Sequence, residues 1–231
     1  MPQESMTPRE RWMAVLSRRQ PDRVPMDIWL TPEARDALCA HLGCDFDTAL
    51  ERLHIDTPLT AAGRYVGPVP PEGQDIWGLV RRRVDYGTGV YDEVVNAPLA
   101  RFTSVDQIEA HYAWPRPDWW DYAHLPALLR GNEHRPVRGG GSEPFLLYKQ
   151  LRGEAQAFLD LLMCPDIVHY CLDKLFELAY QATLRIFETI PGTVMITYAA
   201  DDLGGHTGII LAPALMQVFP LPPLKRRLDP V

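Results

Sequence analysis

Apolar residues recur at three- and four-residue intervals through residues 8–18, 32–42, 46–53, 143–163 and 165–190. That spacing lines one face of an α-helix, so each stretch is predicted helical. Thr7-Pro8-Arg9-Glu10 supplies a capping box with proline in the first turn, and Thr31-Pro32-Glu33 opens a second helix that Gly43 closes. Between about 75 and 100 the period falls to two. Ile76–Asp85 and Val90–Pro98 meet at Tyr86-Gly87-Thr88-Gly89, the signature of a β-hairpin. Shorter apolar runs at 23–29, 55–61, 137–140 and 194–199 predict further strands. The proline- and tryptophan-rich segment 114–120 cannot continue a helix and reads as a connector packed by its own rings.

Strands separated by helices argue for a parallel sheet with right-handed crossovers. Polar side chains fall at the carboxyl ends of several of these strands: Asp27, Asp56, Arg138, and Asp201 with Asp202. That distribution favours a (β/α) barrel over a dinucleotide fold, which concentrates glycine chemistry after its first strand. Gly139-Gly140-Gly141 lacks both the Gly-x-Gly-x-x-Gly spacing and a P-loop lysine. The expected fold is α/β, a partial (β/α)8 TIM-type barrel over a single domain 1–231, with an inserted hairpin at about 75–100.

The site is expected where Val194–Tyr198 delivers Asp201-Asp202-Leu203-Gly204-Gly205-His206. Asp202 and His206, four apart, are the catalytic candidates, since a carboxylate can orient an imidazole. Asp27, Asp56, Arg138 and Asp201 are the substrate-binding candidates, expected around one mouth. Each keeps a plainer reading: acidic residues at strand ends cap turns and helices, and Arg138 can be neutralised by a neighbouring loop. Phe145, Tyr148 and Trp77 are expected in the core, as are Cys164 and Cys171.

Composition narrows the class. Thirty acidic residues against 23 Lys and Arg give a net charge of −7 without a basic stripe, which disfavours nucleic acid as a partner. No apolar run approaches the ~18 residues that span a bilayer, so a cytoplasmic location with no membrane contact is expected. Four cysteines without a Cys-x-x-Cys match neither a disulfide framework nor a zinc cluster.

Several segments together resemble the uroporphyrinogen decarboxylase superfamily, which includes cobalamin-dependent methyltransferases. They are Met6-Thr7-Pro8-Arg9-Glu10-Arg11 with Asp22-Arg23-Val24-Pro25; Asp75-Ile76-Trp77-Gly78; Gly141-Ser142-Glu143-Pro144-Phe145; and Asp201-Asp202-Leu203-Gly204 with Ala212-Pro213. The resemblance implies a TIM-type barrel of which this chain is the first half to two-thirds, with Met6 as a natural start. It also implies a small-molecule substrate or a corrinoid as partner, with zinc as a further cofactor. The decarboxylase's Arg-Gln-Ala-Gly-Arg clamp for substrate carboxylates is replaced by Leu30-Thr31-Pro32-Glu33-Ala34, and Gln150 stands where its second signature has tyrosine. The methyltransferase branch, which needs no such clamp, is therefore favoured, although its His-x-Cys zinc ligands do not occur in this chain.

Three classes of function stay open: a methyltransferase-like or porphyrinogen-decarboxylating barrel enzyme (the latter in tetrapyrrole biosynthesis), a non-catalytic fragment, and a subunit completed by a carboxyl-terminal half chain or by a second copy. The terminal Pro220–Val231 run, with its Pro-x-x-Lys-Arg pattern, is read as an interrupted frame. A barrel left open would present the strand at 194–199 as an aggregation-prone edge.

Overall fold

The computed structural model describes residues 4–87, 89–219 and 225. The Pro-x-x-Lys-Arg reading of the terminal run lies outside them. Helices and short strands alternate in an α/β fold whose chain divides into two units. The first comprises Met1–Gly63, Tyr122–Gly139 and Arg185–Thr197; the second comprises Arg64–Asp121, Gly140–Leu184 and Tyr198–Val231.

In the first unit, helix α1 (Pro8–Leu16) starts with the expected capping box: Thr7 Oγ1 accepts from the Glu10 backbone N–H, and Glu10 accepts from the Thr7 N–H. Helix α2 (Pro32–Leu42) is capped by Thr31 and ends at Gly43, whose φ of 63° is the left-handed conformation that terminates helices. Helix α3 (Phe46–Arg52) is capped by Asp45. Strand β1 (Leu59–Ala61) runs parallel to β6 (Val137–Gly139), pairing Leu59 with Val137 and Ala61 with Gly139. On the far side of β6, Arg138 forms a parallel bridge with Ile196.

Residues 24–29, predicted as a strand, are extended without a ladder. Their link to the next segment is the Asp56 N–H donated to the Met26 carbonyl at 2.7 Å, and Pro25 has no N–H to add another. The run 194–199 likewise contributes single bridges at Ile196 and Ala199 in place of a continuous strand.

In the second unit, β2 (Arg64–Tyr65) pairs antiparallel with β5 (Trp120–Asp121). The expected hairpin is β3 (Arg81–Asp85) against β4 (Val90–Val94). Helix α4 (Val105–His111), which periodicity missed, is capped by Ser104; the other short helix missed, α5 (Leu125–Leu129), belongs to the first unit. The long helix predicted at 143–163 is two, α6 (Pro144–Arg152) and α7 (Glu154–Met163), because Gly153 takes φ 84° and ψ 131° between them. A residue with positive φ cannot carry the α-helical ladder. Helix α8 (Pro165–Thr189) passes from the second unit into the first. A two-residue hairpin, β7 (Gly204–Gly205) with β8 (Gly208–Ile209), precedes α9 (Pro213–Val218).

The apolar core of the second unit gathers Leu79, Leu99, Ile108, Phe145, Tyr148, Leu151, Val168, Cys171 and Leu172. Phe145 and Tyr148 are fully buried, as expected, and Trp77 packs partly buried against the cluster. All four cysteines are free; burial pushes the Cys171 thiol up to about 12, which suits a packing role. The triple glycine serves close packing as well: a Cβ on Gly140 would meet the Thr183 side chain at 2.5 Å. Among the described residues, no helix is long and apolar enough to cross a membrane.

Candidate functional site

Charged side chains concentrate at two places in the first unit and one in the second. In the first unit, the Arg11 guanidinium is completely buried. Its Nε and Nη2 donate to the two oxygens of Asp22 at 2.7 and 3.0 Å, its Nη1 to Asp56 Oδ1 at 2.6 Å, and its Nη2 also to the Met6 carbonyl at 2.7 Å. Arg23 adds Nη1 to Asp56 Oδ2 at 2.6 Å and Nη2 to Oδ1 at 3.0 Å, and the Met26 N–H donates to Oδ2. Hydrogen bonds from Arg11 hold the Asp22 carboxyl well below the ordinary carboxylate range. Asp56, expected to face substrate, is instead 1% exposed, with both oxygens committed to two guanidiniums and a backbone amide. Its residue type at a strand end is explained by tying α1 and residues 22–26 together.

Arg138 and Asp27, both expected at the site, do come together. Arg138 Nη1 stands 3.8 Å from Asp27 Oδ2, its guanidinium lies 5.1 Å from the centre of the Trp29 ring, and Nη2 reaches Thr60 Oγ1 at 3.4 Å. Trp29 Nε1 donates to Asp27 Oδ2 at 3.0 Å, so the aspartate orients both the ring and the cation. Trp29 is 74% exposed, which leaves this pair open to solvent on one side.

In the second unit, Asp201 completes the start of α6, whose N-cap residue Glu143 provides no side-chain cap. The Leu146 N–H donates to Asp201 Oδ1 at 2.9 Å. Burial raises the Asp201 carboxyl to about 6, against the pull of the Leu146 and Phe145 amides. A capping role for acidic residues at strand ends was the plainer sequence reading, and the helix that Asp201 caps is α6.

Asp202 faces a different partner. Its Oδ2 lies 3.8 Å from Lys149 Nζ, and Glu154 Oε1 lies 3.9 Å from the same nitrogen. These three side chains line a cavity of about 290 Å³ with Val94, Asn96, Leu146, Gln150 and Gly153. His206 stays exposed at the tip of the β7–β8 hairpin. The orienting contact expected between Asp202 and His206 needs a helical turn to bring residues four apart together, and residues 202–206 form none.

Lys149 was missed although the sequence marks it. Phe145, Tyr148, Lys149 and Arg152 fall at i, i+3, i+4 and i+7 of α6, so two cations share the apolar face. All four are buried. A second cavity of about 260 Å³ is lined by Tyr65, Trp77, Tyr112 and Trp119 with the prolines at 68, 70 and 71, so Trp119 of the Trp/Pro connector faces a pocket as well as its neighbouring rings. Among the described residues no group of three His, Cys, Asp or Glu side chains could hold a metal ion.

No protein-family model and no curated protein matches this chain. Among solved structures, its fold is similar to that of a methyltransferase from Methanosarcina mazei, with a TM-score of 0.57 and 16% sequence identity over 98% of this chain and 66% of that one. The chain therefore spans just under two thirds of that structure's length.

Proposed function

We propose that this chain is the amino-terminal portion of a (β/α)-barrel protein of the uroporphyrinogen decarboxylase superfamily, of its methyltransferase-like branch. In this reading it binds a small molecule in the cavity formed by Asp202, Lys149 and Glu154. The observation that carries the reading is the order of pairing in the first unit. Met26 joins Asp56, β1 joins β6 in parallel, and β6 joins Ile196 in parallel, so successive passes of the chain are successive neighbours. Sequential parallel order is the way a barrel is laid down, whereas a doubly wound sheet reverses order at a switch point. The likeness to a solved methyltransferase supports the same branch.

Polycarboxylate decarboxylation draws less support. Arg138 is already neutralised by Asp27, and residues 30–34 offer no arginine for a second anchor. Zinc, implied by the resemblance, finds no ligand set among the described residues. Both cavities lie just below the ~300–1,000 Å³ range of small-molecule sites, so the reading places a small substrate in the cavity and leaves a corrin ring outside it. The assigned work of these residues is consequently to hold and orient a small substrate: Lys149 and Asp202 supply opposite charges, and Leu146 and Val94 supply apolar wall.

The test is to mix the protein with methylcobalamin and a small thiol and follow loss of the cobalt–methyl absorbance, with carbon dioxide release from uroporphyrinogen followed in parallel. Faster demethylation that Asp202→Asn slows supports the reading. Demethylation no faster than in the protein-free control, or carbon dioxide release, overturns it.

A further inference from the structure

Three cations are buried among the described residues: Arg11, Arg152 and Lys149. The first two are saturated. Arg11 is held as described, and Arg152 donates Nε to Asp160 and Nη1 to the carbonyls of Leu99 and Phe102. Lys149 differs. Its side chain is 7% exposed, its Nζ lies 6.0 and 5.9 Å from the centres of the Phe145 and Phe158 rings, and it makes no hydrogen bond to any described residue. At 3.8 and 3.9 Å, Asp202 and Glu154 lie beyond hydrogen-bonding distance of it. Lys149 lines the cavity, so its three donors are left to water or to whatever solute occupies that space.

The surroundings restrict what that acceptor can be. A simple anion would approach Lys149 against two carboxylates, and a simple cation would meet Lys149 itself. A molecule carrying both charges meets neither obstacle. Because each carboxylate lies within 4 Å of the lysine nitrogen, the ligand's opposite charges must also be close together. One intervening carbon satisfies this. Val94 and Leu146 then face whatever apolar group that carbon bears, in a space of about 290 Å³. Asp202 and Glu154 are 63% and 74% exposed at their side chains, so both can turn toward an incoming ammonium.

We propose that this cavity binds an apolar α-amino acid as its zwitterion, the carboxylate accepting from Lys149 Nζ and the ammonium donating to Asp202 and Glu154. The inference uses the cavity assigned above but not methyl transfer, and a binding measurement reads it even in a protein that shows no turnover.

Isothermal titration calorimetry of the whole chain with L-valine tests it, with 3-methylbutanoate and isobutylamine as counterparts lacking one charge each. Valine is expected to bind saturably and each counterpart about tenfold or more weakly, the usual consequence of losing a charge-assisted contact. Lys149→Met, which keeps the stem and removes the charge, is expected to abolish valine binding. Asp202→Asn, at an exposed position, is expected to weaken valine binding while strengthening that of 3-methylbutanoate, which then meets one carboxylate fewer. No valine binding to the unaltered protein, equal binding of the singly charged counterparts, or unchanged binding in Asp202→Asn would each overturn the proposal.

Discussion

Two charged centres, one in each unit, bring cations and carboxylates together to opposite ends. Around Arg11 and Asp56 the hydrogen bonds of the two guanidiniums to Asp22 and Asp56 lie between 2.6 and 3.0 Å, and the partners interlock. Around Lys149 the same types of charge stop at 3.8 and 3.9 Å, beside a cavity. A saturated ionic cluster has nothing left to offer a ligand; its role is to hold backbone segments in register. An unsaturated one contributes little to folding but keeps its hydrogen-bonding capacity for a partner. Where the acceptors are already spent thus separates structural charge from functional charge better than burial alone, since Arg11 and Lys149 are both buried.

The largest effect should follow from cutting the saturated cluster. Arg11→Met leaves Asp56 buried with one guanidinium in place of two and strips Asp22 of its main partner. Breaking a buried pair from one side costs about 3–5 kcal/mol, so the urea midpoint of the variant should fall steeply. A midpoint close to that of the unaltered protein would abolish the distinction between the two centres.

A second, smaller effect concerns Asp201, whose carboxyl is raised to about 6 from 3.8 by burial. Between those values the folded protein holds more protons than the unfolded chain, so this residue's contribution to stability falls as pH rises through the window. Asp201→Asn keeps an oxygen for the Leu146 N–H and removes the buried charge. Its denaturation midpoint should exceed that of the unaltered protein at neutral pH, and the two should converge near pH 4. A difference that stays constant across that range would mean Asp201 is a solvated cap, leaving Asp202 and Lys149 as the charges that matter at the start of this segment.

The sequence made the helix boundaries legible where local chemistry decides them. Thr7, Thr31 and Gly43 act within one turn, and all three are found doing what their residue types suggest. Strand content was less legible because ladders depend on distant partners: residues 24–29 have the composition of a strand but lack a full set of pairing groups. Asp27 and Arg138 were each marked by a strand-end position as candidates around one mouth, and the structure brings the two together. Asp56 shows the same local signature and is structural, because the arginines that consume it lie 45 and 33 residues away. His206 was a candidate through a helical spacing that its glycine-rich surroundings do not adopt. Lys149 stood in view on the apolar face of α6 but was masked by the habit of reading lysine as surface.

Gly153 tests how the unsaturated centre is shaped. Its φ of 84° with ψ of 131° ends α6 after Arg152 and starts α7 at Glu154, placing Glu154 beside Lys149. A Cβ there would meet Ala97 at an ordinary 3.5 Å, so the penalty of Gly153→Ala comes from the backbone and not from crowding. About 1–3 kcal/mol is expected for an L-residue held in such a conformation. A melting temperature unchanged by the substitution would show that the two helices can fuse, and that the position of Glu154 beside the lysine is incidental.

The smallest expected change in stability is also the sharpest contrast with Arg11. Lys149→Met keeps an unbranched stem against Phe145 and Phe158 and removes three donors that no described residue accepts from. Loss of two attractions at 3.8 and 3.9 Å is offset by loss of a desolvated charge, so the unfolding free energy should move by less than about 1 kcal/mol in either direction. Urea denaturation of the Arg11 and Lys149 variants side by side reads the difference directly. If Lys149→Met cost as much as Arg11→Met, the lysine would be a structural charge and the cavity beside it a packing defect; if it cost nothing, the ammonium would contribute nothing to folding and would stay available to a ligand.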